Sequence, residues 1–174
     1  MTLYEYNGKR PEVGKKGYIF ENAVVMGNVV LGDNVYIGPG AVLRGDYGRI
    51  EVGHRSSIED NCVLHARPDK LCRVGNDVTV GHAAILHTAT VKDWSVIGMG
   101  AIVSDYAEVG EWCVIGEGAV VKNKDVIPDG KVAVGVPARP IADVADDYKK
   151  QWTDFKKLYI DLADTKYRTL LKRL

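Results

Sequence analysis

Ile19-Phe20-Glu21-Asn22-Ala23-Val24-Val25-Met26-Gly27-Asn28-Val29-Val30-Leu31-Gly32-Asp33-Asn34-Val35-Tyr36-Ile37-Gly38-Pro39-Gly40-Ala41-Val42-Leu43 places an aliphatic residue at every sixth position: Ile19, Val25, Leu31, Ile37 and Leu43. Four residues after each of the first four stands a small side chain: Ala23, Val29, Val35 and Ala41. Strand alternation turns both kinds of position to the same side. A six-residue unit that buries one aliphatic and one small residue is a short strand plus a corner. Three such units close a triangular coil with a narrow interior.

The pattern continues through Val52, Ile58, Leu64, Val74, Val80, Leu86, Val91, Ile97, Val103, Val109, Ile115, Val121 and Ile127, eighteen hexads in all. It breaks three times: three residues are extra before Val52, four are extra before Val74, and one is missing before Val91. Gly follows the first residue in eight hexads, among them Gly32, Gly53 and Gly98, and is read here as serving corners that need unusual backbone angles. Eighteen hexads predict about six coils. The arrangement resembles the hexapeptide-repeat, left-handed parallel β-helix superfamily, and left-handedness is implied by that resemblance, against the usual crossover rule. The expected fold is all-β, a left-handed parallel β-helix plus a C-terminal α-helix.

The chain has 174 residues, with 23 Lys+Arg balanced by 23 Asp+Glu. Zero formal charge argues against a nucleic-acid partner. The sequence contains no apolar run long enough to span a membrane, and its N-terminal stretch lacks a secretory h-region. Three widely spaced cysteines make no disulfide framework, so a cytoplasmic location is expected. Nineteen Gly and only two Phe fit many turns around a core of small aliphatic groups.

Residues 1–140 are expected to form the β-helix, with 1–18 leading into and capping its first coil. Gly135-Val136-Pro137-Ala138-Arg139-Pro140-Ile141 ends the repeat, since Pro137 and Pro140 stop strands. Residues 141–174 are the second unit. Val144, Ala145, Tyr148, Trp152, Phe155, Leu158, Tyr159, Leu162 and Ala163 recur at three- and four-residue intervals, an amphipathic helix packed on the prism or a neighbour.

Naming the prism faces A, B and C in order from Ile19 places Leu43, Leu64 and Leu86 on face B of successive coils. Arg44, His65 and His87 each follow one position later and stack as a column outside that face. Coils lie about 4.8 Å apart, so two imidazoles can converge on one ion with Zn–N bonds of about 2.1 Å. His82 sits at the corner between faces A and B, about 16 Å from His87 along the strand. One metal cannot bind both within one chain. Three prisms around a three-fold axis can bring them together, which predicts a homotrimer with three shared sites. His54, the fourth histidine, falls outside this constellation and is expected to be solvated.

Val80-Gly81-His82-Ala83-Ala84-Ile85-Leu86-His87 resembles the GHxxxxH element of γ-class carbonic anhydrases. Asp60-Asn61-Cys62-Val63-Leu64-His65 is similar to the element bearing that family's first metal-binding His, and Arg44-Gly45-Asp46 to its RxD element. The resemblance spans about residues 10–165. It implies metal ligation by His65 and His87 of one subunit with His82 of the next, pairing of Arg44 and Asp46 across the interface, and a metal-proximal Tyr159. Three neutral imidazoles and an open position suit a catalytic Zn2+, with Fe2+ or Co2+ as alternatives. The implied activity is reversible hydration of CO2, a small-molecule substrate, through water whose pKa the ion lowers. Two departures stand out: Glu59 replaces the Gln usual beside the metal water, and Tyr47 and the stretch around Arg67-Pro68 stand where acidic proton shuttles are found.

Two other functions compete: a CoA-thioester hydrolase or acyltransferase of the same superfamily, and a metal-binding protein without turnover. For the former, Arg67, Lys70 and Arg73 in the loop from Ala66 to Arg73 are candidate contacts to a CoA phosphate. Cys62 and Cys113 occupy inward positions and read as inert. Cys72, in the inserted loop near His65, is a candidate fourth ligand or redox group.

Overall fold

The computed structural model describes residues 2–174. Face A carries seven parallel strands, from Tyr18–Ile19 through Tyr36–Ile37, Ser57–Ile58, Thr79–Val80, Val96–Ile97 and Val114–Ile115 to Lys131–Val134. Faces B and C bend into one another as a second sheet. The chain is a left-handed parallel β-helix of about seven turns. The additional turn is made of two strands from the N-terminal segment, expected only to cap, and of Lys131–Val134 at the other end. Thr2–Tyr4 pairs in parallel with Val24–Met26 on face B, and Glu12–Val13 with Val30–Leu31 on face C. These strands are separated by a hairpin-like bridge at Tyr6 and Lys9, so no hexad spacing marks them.

The interior follows the hexad rule. Ile37, Leu43, Ile58, Leu64, Leu86 and Ile97 are fully buried, interleaved with Ala41, Ala84, Ala101 and Ala119. Where an insertion precedes Val52 or Val74, Ile50 and Cys72 take the inward position two residues before it, and both are fully buried. Where a residue is missing, Ala89 does so.

Glycine has a different role from the one expected. Left-handed backbone falls three positions after the hexad start, on Asn34, Arg55, Asn61, Asp77, Ala83, Trp94 and Tyr106 as well as on Gly40 and Gly100. The glycines directly after the start have ordinary φ. They are required by stacking: a Cβ on Gly53 would stand 2.5 Å from the Gly75 carbonyl carbon, and one on Gly98 would stand 2.6 Å from the Ile115 oxygen. Neighbouring coils touch backbone to backbone there.

The last parallel strand is Lys131–Val134, but Pro140 does not stop a strand. After Val134 the chain turns, and Arg139–Asp143 runs back antiparallel to Lys131–Val134. This strand straddles the expected boundary at 140. Pro140 sits in the terminal strand of its sheet, where the missing donor faces no further strand.

Asp146–Asp161 is α-helical, continues through a π-helical turn at Leu162–Lys166, and ends with Tyr167–Leu170. It lies along the outside of face A. Tyr159 packs on Tyr36, Tyr167 on Tyr18 and Tyr36, and Lys149 stands over Trp112. Helical periodicity puts Lys156 among the polar residues, yet it is the buried side chain of Asp146–Asp161, at 1 % exposure. Its Nζ donates to Ser57 Oγ at 2.7 Å, Val78 O at 2.6 Å and Thr79 Oγ1 at 2.9 Å. Short polar side chains on face A accept what an apolar face would have excluded. No described helix is long and apolar enough to cross a membrane.

Burial pushes the Lys156 ammonium down to about 7, against the attraction of Asp77 and Glu59. An unfolded chain's lysine titrates near 10.4. Between those values the unfolded chain binds a proton that the folded chain does not, so stability from this group rises with pH, by up to about 1.4 kcal/mol per unit. Urea unfolding across pH 7 to 9 is expected to give Lys156→Met a flatter dependence than the wild type. Parallel slopes for the two proteins would refute it.

Candidate metal centre

All three breaks in the repeat fall where face B turns into face C, in three successive coils. The inserted corners lie flat on one another only because Gly48 lacks a Cβ, which would stand 2.5 Å from the Arg67 oxygen and 2.6 Å from the Ala66 Cβ. Beside these corners runs the histidine column. Pairing aligns Arg44 with His65 and His65 with His87 across three strands.

The two imidazoles face each other, His65 Nδ1 lying 3.1 Å from His87 Nε2. Each ring's other nitrogen meets a carboxylate: His65 Nε2 stands 2.8 Å from Asp46 Oδ1, and His87 Nδ1 stands 2.6 Å from Asp105 Oδ1. A neutral imidazole that donates to its carboxylate keeps a lone pair on the opposite nitrogen. With both rings in that form two lone pairs face each other across this gap, and a shared proton or a cation relieves the conflict. Carboxylate-backed imidazoles are also how metal-ligating histidines are oriented. The donor set therefore fits a divalent ion of zinc type.

Both carboxylates are anchored. Asp46 accepts from Arg44 Nη1 at 2.5 Å and from the Tyr47 amide at 2.8 Å. Burial works against its ionisation, but the bonds from His65, Arg44 and Tyr47 outweigh burial and hold the carboxyl below its usual range. Arg67 Nη2 donates to Asp105 Oδ2 at 2.8 Å, and this bond, with those from His87 and Thr88, holds Asp105 well below the usual carboxylate range. Asp105 went unnoticed in the sequence because it lies outside the three motifs. Its signal is positional, since it follows Val103 on face B in the coil after His87.

His82 occupies the A/B corner with its side chain 46 % exposed. Its Nε2 stands 3.1 Å from Glu59 Oε2 and its Nδ1 stands 3.2 Å from Asp60 Oδ2. Glu59 is buried, and the Tyr159 phenol hydrogen-bonds to it from the helix. Burial, then that bond, raises the Tyr159 pKa above its ordinary value. Glu59, His82 and Tyr159 thus form one cluster, while Arg44, Asp46, His65 and His87 form another. Among the described residues no single-chain group of three or more His, Cys, Asp or Glu is arranged to hold a metal.

The remaining candidates divide. Tyr47 is exposed, its ring 6.2 Å from that of His65. Cys72 is not in a loop: Leu71–Val74 is a strand, and the insertion's register turns the Cys72 thiol into the core, where burial pushes it up to about 11. It can serve neither as a ligand beside His65 nor as an exposed redox group. Cys62 and Cys113 are buried as read. Arg67 is committed to Asp105, which removes it from the expected basic loop. His54 Nδ1 accepts the Asp33 amide at 2.9 Å, away from both clusters.

Residues 11–45 match the family described as bacterial transferase hexapeptide (six repeats). A carbonic anhydrase of Geobacillus kaustophilus is 35% identical over 159 residues, covering 91% of this chain and 87% of that protein. The chain belongs to the hexapeptide-repeat family. Within it, the carnitine operon protein CaiE of a Proteus species is 36% identical, over 87% of this chain and 77% of the relative. A solved hexapeptide transferase family protein from Anaplasma phagocytophilum superposes with a TM-score of 0.90 at 32% identity, each chain 98% covered. So does an acetyltransferase candidate of Bacillus cereus, with a TM-score of 0.94 at 32% identity and the same coverage. Hexapeptide-repeat relatives thus carry different functions on one scaffold.

Tyr159→Phe removes a donor from buried Glu59 and is expected to destabilise the fold by about 1–3 kcal/mol. Denaturant unfolding in the presence of a chelator measures this, and a midpoint unchanged from wild type would show that the phenol does not support Glu59.

Proposed function

We propose that this hexapeptide-repeat chain is a γ-class carbonic-anhydrase-like metalloenzyme that hydrates CO2 reversibly at sites shared between the subunits of a homotrimer. Zn2+ is the proposed metal, with Fe2+ or Co2+ as alternatives. The observation that carries the reading is the facing pair of imidazole nitrogens at 3.1 Å, each ring backed by a carboxylate. The 35% identical carbonic anhydrase supports it.

Under this reading His65 and His87 supply two donors, and His82 of a neighbouring subunit supplies the third. A divalent ion held there would supply Lewis acidity that makes water a nucleophile near neutral pH. Asp46 and Asp105 orient the two column imidazoles. Glu59 reaches the site with His82, and its Oε2, 3.1 Å from His82 Nε2, is placed to accept a proton. Tyr159 holds Glu59 from behind. Arg44, whose side chain is 42 % exposed, is free to reach across the interface as well as to Asp46.

A second reading, hydrolysis or transfer of CoA thioesters, is favoured by the kinship with CaiE and with the Bacillus cereus acetyltransferase candidate. Anaerobic purification, metal analysis, stopped-flow CO2 hydration and a CoA-thioester panel separate the readings. Stoichiometric metal with CO2 hydration and no thioester turnover is expected. Thioester turnover alone would favour the second reading, and full metal occupancy with neither activity would leave a metal-binding protein.

Shared sites make a further prediction. His65→Ala and His82→Ala should each bind zinc weakly as pure assemblies, because every site has lost a ligand. Unfolded together and refolded, mixed trimers rebuild an interface that joins an intact column to an intact His82. Zinc binding should return in part; mixed trimers that bind none would refute the shared site. In the metal-loaded protein, Glu59→Gln is expected to shift the pH profile of CO2 hydration, and an unchanged profile would exclude Glu59 from proton transfer.

A further inference from the structure

Asp105 stands outside every motif that marks the histidine column, yet it makes the shortest polar contact to a column imidazole, 2.6 Å from Oδ1 to His87 Nδ1. Its other oxygen accepts Arg67 Nη2 at 2.8 Å, and the Thr88 hydroxyl bonds to it as well. Thr88 Oγ1 in turn accepts the Arg67 backbone N–H at 2.9 Å. We propose that Asp105 is a positioning residue for the metal centre, one that fixes the His87 ring with Nε2 facing His65, and that Arg67 holds Asp105 in place. The inference rests on the metal reading of the column.

The geometry is unlike that of an incidental surface pair. Asp105 has a side chain only 15 % exposed, while that of Arg67 is 52 % exposed. An isolated pair at such a surface has little reason to be held so tightly. Here the carboxylate is aimed by two donors, Arg67 Nη2 and the Thr88 hydroxyl, at one ring nitrogen. Donation of His87 Nδ1–H to Asp105 leaves the Nε2 lone pair facing His65 Nδ1, 3.1 Å away. Asp46 does the same for His65 from the other side. The repeat has been altered to permit this. Arg67 lies in the insertion before Val74 and reaches a carboxylate 38 residues later in the chain, while Thr88 lies in the shortened hexad after Leu86. Insertion and deletion bring the two together over the end of the His87 strand.

Zinc affinity, read by chelator competition on the assembled protein, tests this in Asp105→Ala, Asp105→Asn and Arg67→Gln, with His87→Ala as reference. Asp105→Ala is expected to weaken zinc binding about 10- to 100-fold. Asp105→Asn keeps an acceptor for Nδ1–H and should recover part of that loss, and Arg67→Gln should lose less than Asp105→Ala. The visible absorption of the Co2+-loaded protein should change in Asp105→Ala and return toward wild type in Asp105→Asn. Metal-free melting midpoints, measured alongside, separate a loss of folding from a loss of positioning. If Asp105→Ala does not fold, the other two variants carry the same comparison. Wild-type affinity and an unaltered Co2+ spectrum in the Asp105 variants, with binding lost in His87→Ala, would overturn the positioning role alone. Wild-type zinc affinity in His87→Ala would overturn the metal reading and this inference with it.

Discussion

Everything in this molecule answers to the spacing of stacked coils, about 4.8 Å from one backbone to the next. That distance is fixed by hydrogen bonds between parallel strands, so side chains fit it or are excluded. Inside the prism it admits one aliphatic and one small residue per face. Where glycine follows the hexad start, as at Gly53 and Gly98, backbone meets backbone, and glycine is required for clearance rather than for conformation. Outside the prism the same spacing stacks like positions in columns. Two histidines placed one coil apart on face B have no choice but to face each other.

A regular repeat is a background against which interruptions carry information. The three breaks in the hexad pattern could have fallen on any corner of any coil. They fall on one corner in three consecutive coils, and they carry Asp46, Tyr47, Arg67 and Thr88 to the histidine column. Insertions there do not disturb the core, because Ile50, Cys72 and Ala89 still fill the inward position before the next hexad. The scaffold tolerates added chain at corners while keeping its register, so a site can be assembled without loss of the coil-to-coil ladder.

The column was legible in the sequence because two rules, alternation along a strand and one coil per three hexads, place side chains with no tertiary information. Other features required what those rules lack. The first turn is made by Thr2–Tyr4 and Glu12–Val13, which pair without hexad spacing. Cys72 read as a loop residue because counting from Leu64 runs through the insertion, whereas counting back from Val74 places it inward. Lys156 read as a polar-face residue because helical periodicity says nothing of the surface a helix lands on, and Ser57 and Thr79 sit where it lands. Asp105 is one aspartate among many, because the coil register sets Ser104 opposite His87 and Asp105 one residue further on.

The likeness to acyl-group relatives raises the question of what a histidine on this scaffold is set up to do. A general base needs a lone pair aimed at a substrate proton, with its other nitrogen held by an orienting group. His65 and His87 each have the orienting carboxylate, but the nitrogens opposite those carboxylates stand 3.1 Å from one another. Each of those nitrogens has the other imidazole as its neighbour. Under the proposed reading a cation held beside the pair would draw on both rings. The same reasoning gives His82 a different role from the column. It is half-exposed at a corner, with Nε2 against Glu59 and Nδ1 against Asp60 rather than against a second imidazole. Under the proposed reading the column is complete within one subunit except for the donor that a half-exposed corner histidine can bring from the next.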